Sequence, residues 1–260
     1  MRPRPYIGIT GFESGAQVGA VRAALPPDRL LMVGCGMRGH PTSWAPDKWP
    51  NRCPRPERLP EIFLPYKNVL NILHFTPLEE CDLFEHMCLA REVAGPFFHG
   101  FQLNTPWPSF NDLTRYKTRY PQSVITIALQ PDALEVVESN SVRIARTLTM
   151  YDRVADYVIL DTSAGEGKDI DTSFTRRTYE EIERLLPHLG LVAAGGLHAG
   201  NAEEQLGDLL RQFALSTDAE SKLRNFPSDL LDTGKVIRYV QKTDKLLRKY
   251  ETQRNLEPVS

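Results

Sequence analysis

The sequence predicts a (β/α)8 barrel, a closed parallel sheet of eight strands wrapped by outer helices. Three observations predict it. Short β-branched runs alternate with helical patterns, which points to parallel strands joined by helical crossovers. The alternation recurs eight times. The length, 260 residues, is close to the roughly 250 typical of such barrels. An open doubly wound sheet is the alternative use of the same units.

Strands are expected at 6–10, 30–35, 68–75, 98–103, 123–129, 156–161, 189–194 and 212–217. Helical patterns lie between them, as at 78–93, 176–186 and 201–211, and a long one at 232–250 follows the last strand. The faintest helix is the second, near 57–64. No repeat beyond this alternation and no linker interrupts the chain, so 1–260 reads as one barrel domain. Residues 36–60 stand apart, with six prolines and two tryptophans. Proline at that density forbids a continued helix or a central strand. This is a long loop after strand two, either a lid or binding loop or a plain insertion. The polar tail from Glu251 is expected to fray.

Composition removes several function classes. Formal net charge is −2, which favours neither a nucleic-acid backbone nor an anionic membrane as partner. No apolar run reaches the 18 or so residues of a membrane span, and the short run after Met1-Arg2-Pro3-Arg4-Pro5 is too brief for a signal peptide. Cys35, Cys53, Cys81 and Cys88 form no CxxC pair and no metal-finger spacing, so no metal or other cofactor is expected. Cys81 and Cys88, seven apart in an expected helix, read as small core residues. A reducing compartment such as the cytoplasm fits this usage.

Side chains alternate across a strand, so its two faces can be read from parity. Gln102 and Asn104 share a face opposite Phe101 and Leu103. Thr126, Ala128 and Gln130 share one opposite Ile125, Ile127 and Leu129. Asp161 follows Tyr157 and Ile159. The bulky aliphatic residues suit the helix-facing side, which turns the polar ones into the barrel near its C-terminal mouth. Buried unpaired polar groups cost about 1–3 kcal/mol each, so their convergence indicates a ligand site; mutual satisfaction with ordered water is the alternative. Asp161 ends an apolar strand, where low-dielectric walls would raise its pKa for general-acid work. It could equally bond loop amides. Gly165, Gly167 and Lys168 lack the spacing of a phosphate loop.

Two later turns belong together. Gly195-Gly196-Leu197 follows strand seven, and Ser216-Thr217-Asp218 ends strand eight. Paired glycines let backbone amides approach a ligand, hydroxyls add donors, and barrels often hold phosphate here. A plain tight turn is the alternative. Asp218 would repel phosphate unless it faces away, although Lys222 and Arg224 are near in sequence. Arg38 and Trp107 join the expected substrate-binding set. Trp44, Trp49 and Trp107 all fall in loops on the mouth side, where they either pack the 36–60 loop or line the pocket.

Four stretches resemble the phosphoribosylanthranilate isomerase family, one of the phosphate-binding barrels: Ile7-Gly8-Ile9-Thr10; Phe101-Gln102-Leu103-Asn104; Leu160-Asp161-Thr162 with Gly165-Glu166-Gly167-Lys168 and Asp171; and Ala194-Gly195-Gly196-Leu197, Asn201 and Ser216 to Glu220. Residues 156–240 carry most of the resemblance. It implies an Amadori rearrangement of a phosphorylated aminoaldose to an aminoketose, part of tryptophan biosynthesis. It places the ring-opening acid at Asp161, puts Ile7 where the family has a proton-abstracting cysteine, Asn104 where it has a histidine, and Asp218 where it has a glycine of the phosphate turn. Ile7 cannot act as a base, so weak or absent isomerisation of phosphoribosylanthranilate is expected.

The reading is then an isomerase-like barrel enzyme on a small, anionic, sugar-phosphate-type substrate. Asp161 would act as acid, Asn104 and Gln102 would orient the substrate, and the two turns would hold its anionic end. The base is unassigned, with Cys35 and His40 as candidates after strand two. The alternative is a non-catalytic barrel kept for ligand binding or protein assembly.

Overall fold

The computed structural model describes residues 2–43, 50–163 and 165–256. Eight strands pair in chain order: β1 (Tyr6–Thr10), β2 (Leu30–Arg38), β3 (Val69–Thr76), β4 (Gly100–Leu103), β5 (Val124–Leu129), β6 (Tyr157–Leu160), β7 (Gly190–Ala194) and β8 (Leu215–Ala219). All neighbours are parallel, and β1 pairs with both β2 and β8, which closes the sheet. The expected (β/α)8 TIM barrel is the observed fold.

Outside it run α1 (Gly15–Ala23), α2 (Leu59–Ile62), α3 (Leu83–Ala94), α4 (Phe110–Arg119), α5 (Pro131–Val136), α6 (Ser141–Leu148), α7 (Thr172–Leu185), α8 (Ala202–Gln212) and α9 (Thr233–Leu256). A two-stranded hairpin, β9 (Arg224–Asn225) and β10 (Leu230–Leu231), follows β8. Side-chain caps explain several helix starts. Ser14, Asp82, Ser109, Asn140 and Asp171 each accept a backbone N–H two or three residues into the helix, satisfying donors that the helix leaves unpaired.

Strand parity sorts the core into two layers. Ile7, Ile9, Phe101, Leu103, Ile125 and Ile127 pack outward with the helices. Tyr6, Met32, Ile72, Tyr157, Ile159 and Val192 fill the barrel interior, with Tyr6 and Tyr157 edge to face at 5.1 Å. This apolar plug leaves the polar inward residues at the C-terminal end.

Several boundaries differ from expectation. The helix expected from 78 starts at Leu83, because Asp82 caps it. Cys81 therefore lies ahead of the helix and is half-buried, whereas Cys88 is buried in it; all four cysteines are free thiols. The last strand begins at Leu215 rather than 212, since Phe213 still caps α8. The tail does not fray at Glu251. Helix α9 continues to Leu256 because Glu251 pairs with Arg29 at 2.8 Å and Arg254 donates to the Phe213 carbonyl at 3.0 Å. The proline-rich loop holds 3-10 turns at Pro50–Arg52 and Pro56–Arg58. Trp44 and Trp49 lie outside the described residues. No helix among the described residues is long and apolar enough to cross a membrane.

Candidate functional site

A cavity opens to solvent at the C-terminal ends of the strands. Gln102, Asn104, Asp161, Asp218, Arg38 and the turn Gly195-Gly196-Leu197 all line it. Gln130 lines it too, while Ala128 packs deeper in the interior.

Three expected ligand residues lie elsewhere. Because β8 runs to Ala219, Ser216 and Thr217 sit within the strand rather than in a turn at its end. The Ser216 hydroxyl accepts from the Tyr6 amide at 3.1 Å, deep in the barrel. Thr217 has the opposite parity and accepts from the Tyr239 hydroxyl of α9 at 3.1 Å. Trp107 donates to the Ala133 carbonyl at 2.9 Å and stacks on Tyr151, which anchors the loop after β4 against α5, outside the cavity. Trp107→Phe should therefore cost stability, about 0.5–1.5 kcal/mol for the lost hydrogen bond. Urea melts check this, and an unchanged midpoint would show that the bond does not hold the loop.

The proposed bases are also displaced. Cys35 faces the helices, fully buried, with its thiol 3.7 Å from the Phe12 carbonyl, and burial pushes its pKa up. His40 packs edge to face on His86, 5.0 Å between ring centres, away from the cavity. Ile7 belongs to the helix-facing layer, so it does not occupy a position on the cavity face. The β1 side chain that does is Thr10.

Thr10 leads to a buried polar cluster at the cavity floor. Its hydroxyl donates to Asp218, 3.0 Å from Oδ1 and 3.1 Å from Oδ2, and lies 3.2 Å from His74 Nε2. All three side chains are buried. Two inward glycines make room for them. A Cβ on Gly34 would come 2.7 Å from the Thr10 hydroxyl and 2.8 Å from His74 Nε2, and one on Gly8 would come 3.0 Å from Asp218 Oδ1. Burial is the main cause that pushes Asp218 up to about 8, with the nearby Glu220 and Asp161 carboxyls adding to it and the Thr10 bond opposing. Burial pushes His74 down to about 3. The two lie 4.0 Å apart, yet these opposite shifts leave both uncharged at neutral pH, so they form no ion pair.

The environment expected for Asp161 is therefore found at Asp218. Asp161 is partly exposed, and its Oδ1 accepts from the Ser163 amide at 2.9 Å and hydroxyl at 2.7 Å. Across the mouth, Gln102 Nε2 donates to Asn104 Oδ1 at 3.1 Å, which fixes the Asn104 amide. Gly195, at φ +133°, adopts a conformation suited to glycine. A Cβ on Gly196 would strike the Gly167 carbonyl at 2.5 Å, so the loops after β6 and β7 meet backbone to backbone.

The long loop reaches the site through Arg52, which sequence reasoning missed. Buried Arg52 makes two bonds to the Asp229 carboxylate, both 3.1 Å, and donates to the Gly165 carbonyl at 3.1 Å and the Ser221 hydroxyl at 3.2 Å. It ties the loops after β2, β6 and β8 across the mouth. Arg224 does the same for β1 and β8, donating to the Gly11 carbonyl at 2.9 Å and pairing with Glu13 at 3.5 Å. No sequence periodicity marks Arg52. His74 did leave a signal, an imidazole at an inward position of an apolar strand. No cluster of three or more His, Cys, Asp or Glu suited to a metal occurs among the described residues.

Comparison with known proteins follows this geometry. No family model matches the chain. It is 27% identical over 94 residues to N-(5'-phosphoribosyl)anthranilate isomerase of Methanococcus aeolicus. That match covers 36% of this chain and 41% of the relative, less than half the relative's length. The chain resembles the phosphoribosylanthranilate isomerases. The isomerase of Thermotoga maritima superposes with a TM-score of 0.63 at 18% identity, covering 93% of this chain and 99% of that one. The isomerase of Thermus thermophilus gives 0.63 at 16%, with the same coverage. Tryptophan synthase subunit alpha of Legionella pneumophila gives 0.58 at 11%, covering 95% and 92%. At such identities the superpositions show the barrel fold alone.

Proposed function

We propose that this phosphoribosylanthranilate isomerase-like barrel is an enzyme that isomerises a small phosphorylated sugar-type substrate by acid–base chemistry. The observation that carries the proposal is the convergence of Asp161 and the buried Asp218 on one cavity at the C-terminal mouth. A buried carboxyl that keeps its proton can give it, and an accessible carboxylate beside the same cavity can take one. Asp218 is the general acid. It protonates the substrate oxygen as Asp161 removes a proton from the adjacent carbon, giving an enol-type intermediate; Asp161 then returns that proton to the neighbouring carbon while the proton of the enol's remaining hydroxyl passes back to Asp218, which completes the shift and restores both side chains. Asn104, held by Gln102, orients the substrate. The Gly195-Gly196-Leu197 turn, beside Gly167, takes the anionic end. A neutral Asp218 does not repel that end, which removes the objection its carboxylate would raise.

Phosphoribosylanthranilate, the substrate named for the relatives, is the first compound to try, followed as loss of its fluorescence. Turnover that Asp161→Asn lowers by about 10²–10⁴-fold is the expected result. A protein that neither turns it over nor binds it or ribose 5-phosphate saturably would overturn the proposal.

A further inference from the structure

We propose that Thr10, backed by His74, is a positioning residue that turns the acidic proton of Asp218 toward the cavity and holds the carboxylate left when that proton departs. The inference rests on the reading of Asp218 as the acid. A hydroxyl has one hydrogen and two lone pairs. The Thr10 hydroxyl lies within 3.2 Å of His74 Nε2 and within 3.1 Å of both Asp218 oxygens. It can therefore link the two in one of two directions.

In the first, His74 Nε2–H donates to Thr10, and Thr10 donates to one oxygen of Asp218. The proton of the Asp218 carboxyl, on its other oxygen, is then free to face the cavity. In the second, Thr10 donates to His74, and Asp218 must spend its own proton on Thr10. Only the first leaves an acid that can act on a ligand, and it requires a proton on the His74 nitrogen bonded to Thr10, which the shorter distance, 3.2 Å against 3.4 Å to Nδ1, makes Nε2. After transfer, the same Thr10 hydrogen bond falls on a carboxylate, where charge makes it stronger. The new charge has no cation at hand, because His74 is neutral.

The acidic groups facing Asp218 make this hold more necessary. Glu220 lies just beyond it on the exit from β8, Asp161 follows β6, Tyr6 comes from β1 and Tyr239 from α9. Glu220 and Asp161 oppose a second negative charge. Besides Thr10, the Ala219 amide supports the charged carboxyl. Gly8 and Gly34 keep the space that lets the three side chains meet.

Nitrogen-15 NMR of histidine-labelled protein reads the tautomer in the unaltered protein, and carbon-13 NMR of aspartate-labelled protein reads the Asp218 titration. The expected results are a neutral His74 protonated at Nε2 and, in Thr10→Val, an Asp218 midpoint moved to higher pH. With phosphoribosylanthranilate, Thr10→Val should lose about 10–100-fold in kcat with KM within about twofold, and Thr10→Ser should recover most of it. A His74 protonated at Nδ1, or a valine variant with the wild-type midpoint, overturns the inference. Both readouts are independent of substrate. A protein with the expected tautomer and midpoint shift but no turnover would sustain the hold of Thr10 on Asp218 while defeating the enzymatic reading. If the valine variant fails to fold, the tautomer in the unaltered protein decides alone.

Discussion

Asp218→Asn is expected to lower turnover by about 10²–10⁴-fold, the usual worth of a general acid. Asparagine keeps the shape of the side chain and can still accept from Thr10, but it has no acidic proton to give. The wild-type rate should also fall as pH rises through about 8, where Asp218 deprotonates, and the variant's residual rate should lack that limb. A variant that turns over like wild type, or a wild-type alkaline limb that persists unchanged in it, would remove Asp218 from the chemistry.

The same group shapes stability in a predictable direction. Asp218 binds its proton up to about 8 in the folded protein, against an ordinary 3.8. Between those values the folded state holds one proton more than the unfolded state, so this group makes stability fall as pH rises. His74 acts oppositely. Its folded value near 3 lies below its ordinary 6.5, so between the two the unfolded state holds the extra proton and stability rises with pH. From 3.8 to 6.5 the slopes cancel. From 6.5 to about 8 only the Asp218 contribution remains, and it is unfavourable. Asp218→Asn removes it, so the inactive variant should melt higher than wild type at pH 9 and lose less stability across 6.5–8. Thermal melts at a series of pH values test this, and superimposable curves would mean Asp218 is not held neutral by the fold. A site that strains its own fold in this way trades stability for function.

Much of the barrel was legible because its signals are local. Alternation of strand and helix needs only hydrophobic period, and the inward residues of β4, β5 and β6 follow from parity alone. Gln102, Asn104 and Asp161 were found that way. Parity fails when the strand's limits are misjudged. Placing the end of β8 at 217 instead of 219 made Ser216-Thr217-Asp218 look like the start of a turn and hid Asp218 as a strand-borne acid. At β1, motif resemblance drew attention to Ile7, while the inward set is Tyr6, Gly8 and Thr10. What joined Thr10, His74 and Asp218 is closure of the sheet: β1 meets β8 in register, Gly8 opposite Asp218, across 210 positions of sequence. Arg52 was illegible for a related reason, since its partners Asp229, Gly165 and Ser221 come from two other loops.

Away from the mouth, Arg29→Ala should have the largest effect on stability. Arg29 sits just before β2, at the N-terminal end of the barrel, and is 7% exposed. It donates to Asp244 at 2.6 Å and makes two bonds to Glu251, at 2.8 and 3.0 Å, clamping α9 onto the barrel. Asp244 is 5% exposed, so deletion of Arg29 strands a buried charge whose remaining partner is Arg248, at 3.0 Å and about 40% exposed. Breaking a buried pair from one side costs about 3–5 kcal/mol. At about 2–4 °C per kcal/mol for a chain of this size, the melting temperature should drop by roughly 6–20 °C. The penalty comes mostly from the charge left behind, so Arg29→Met combined with Asp244→Leu should recover most of the loss. Neither change touches the cavity, and the rate per folded molecule at low temperature should stay at the wild-type value. A single variant that melts within a degree or two of wild type, or a double variant that melts lower than the single, would show that this clamp does not hold α9 in place.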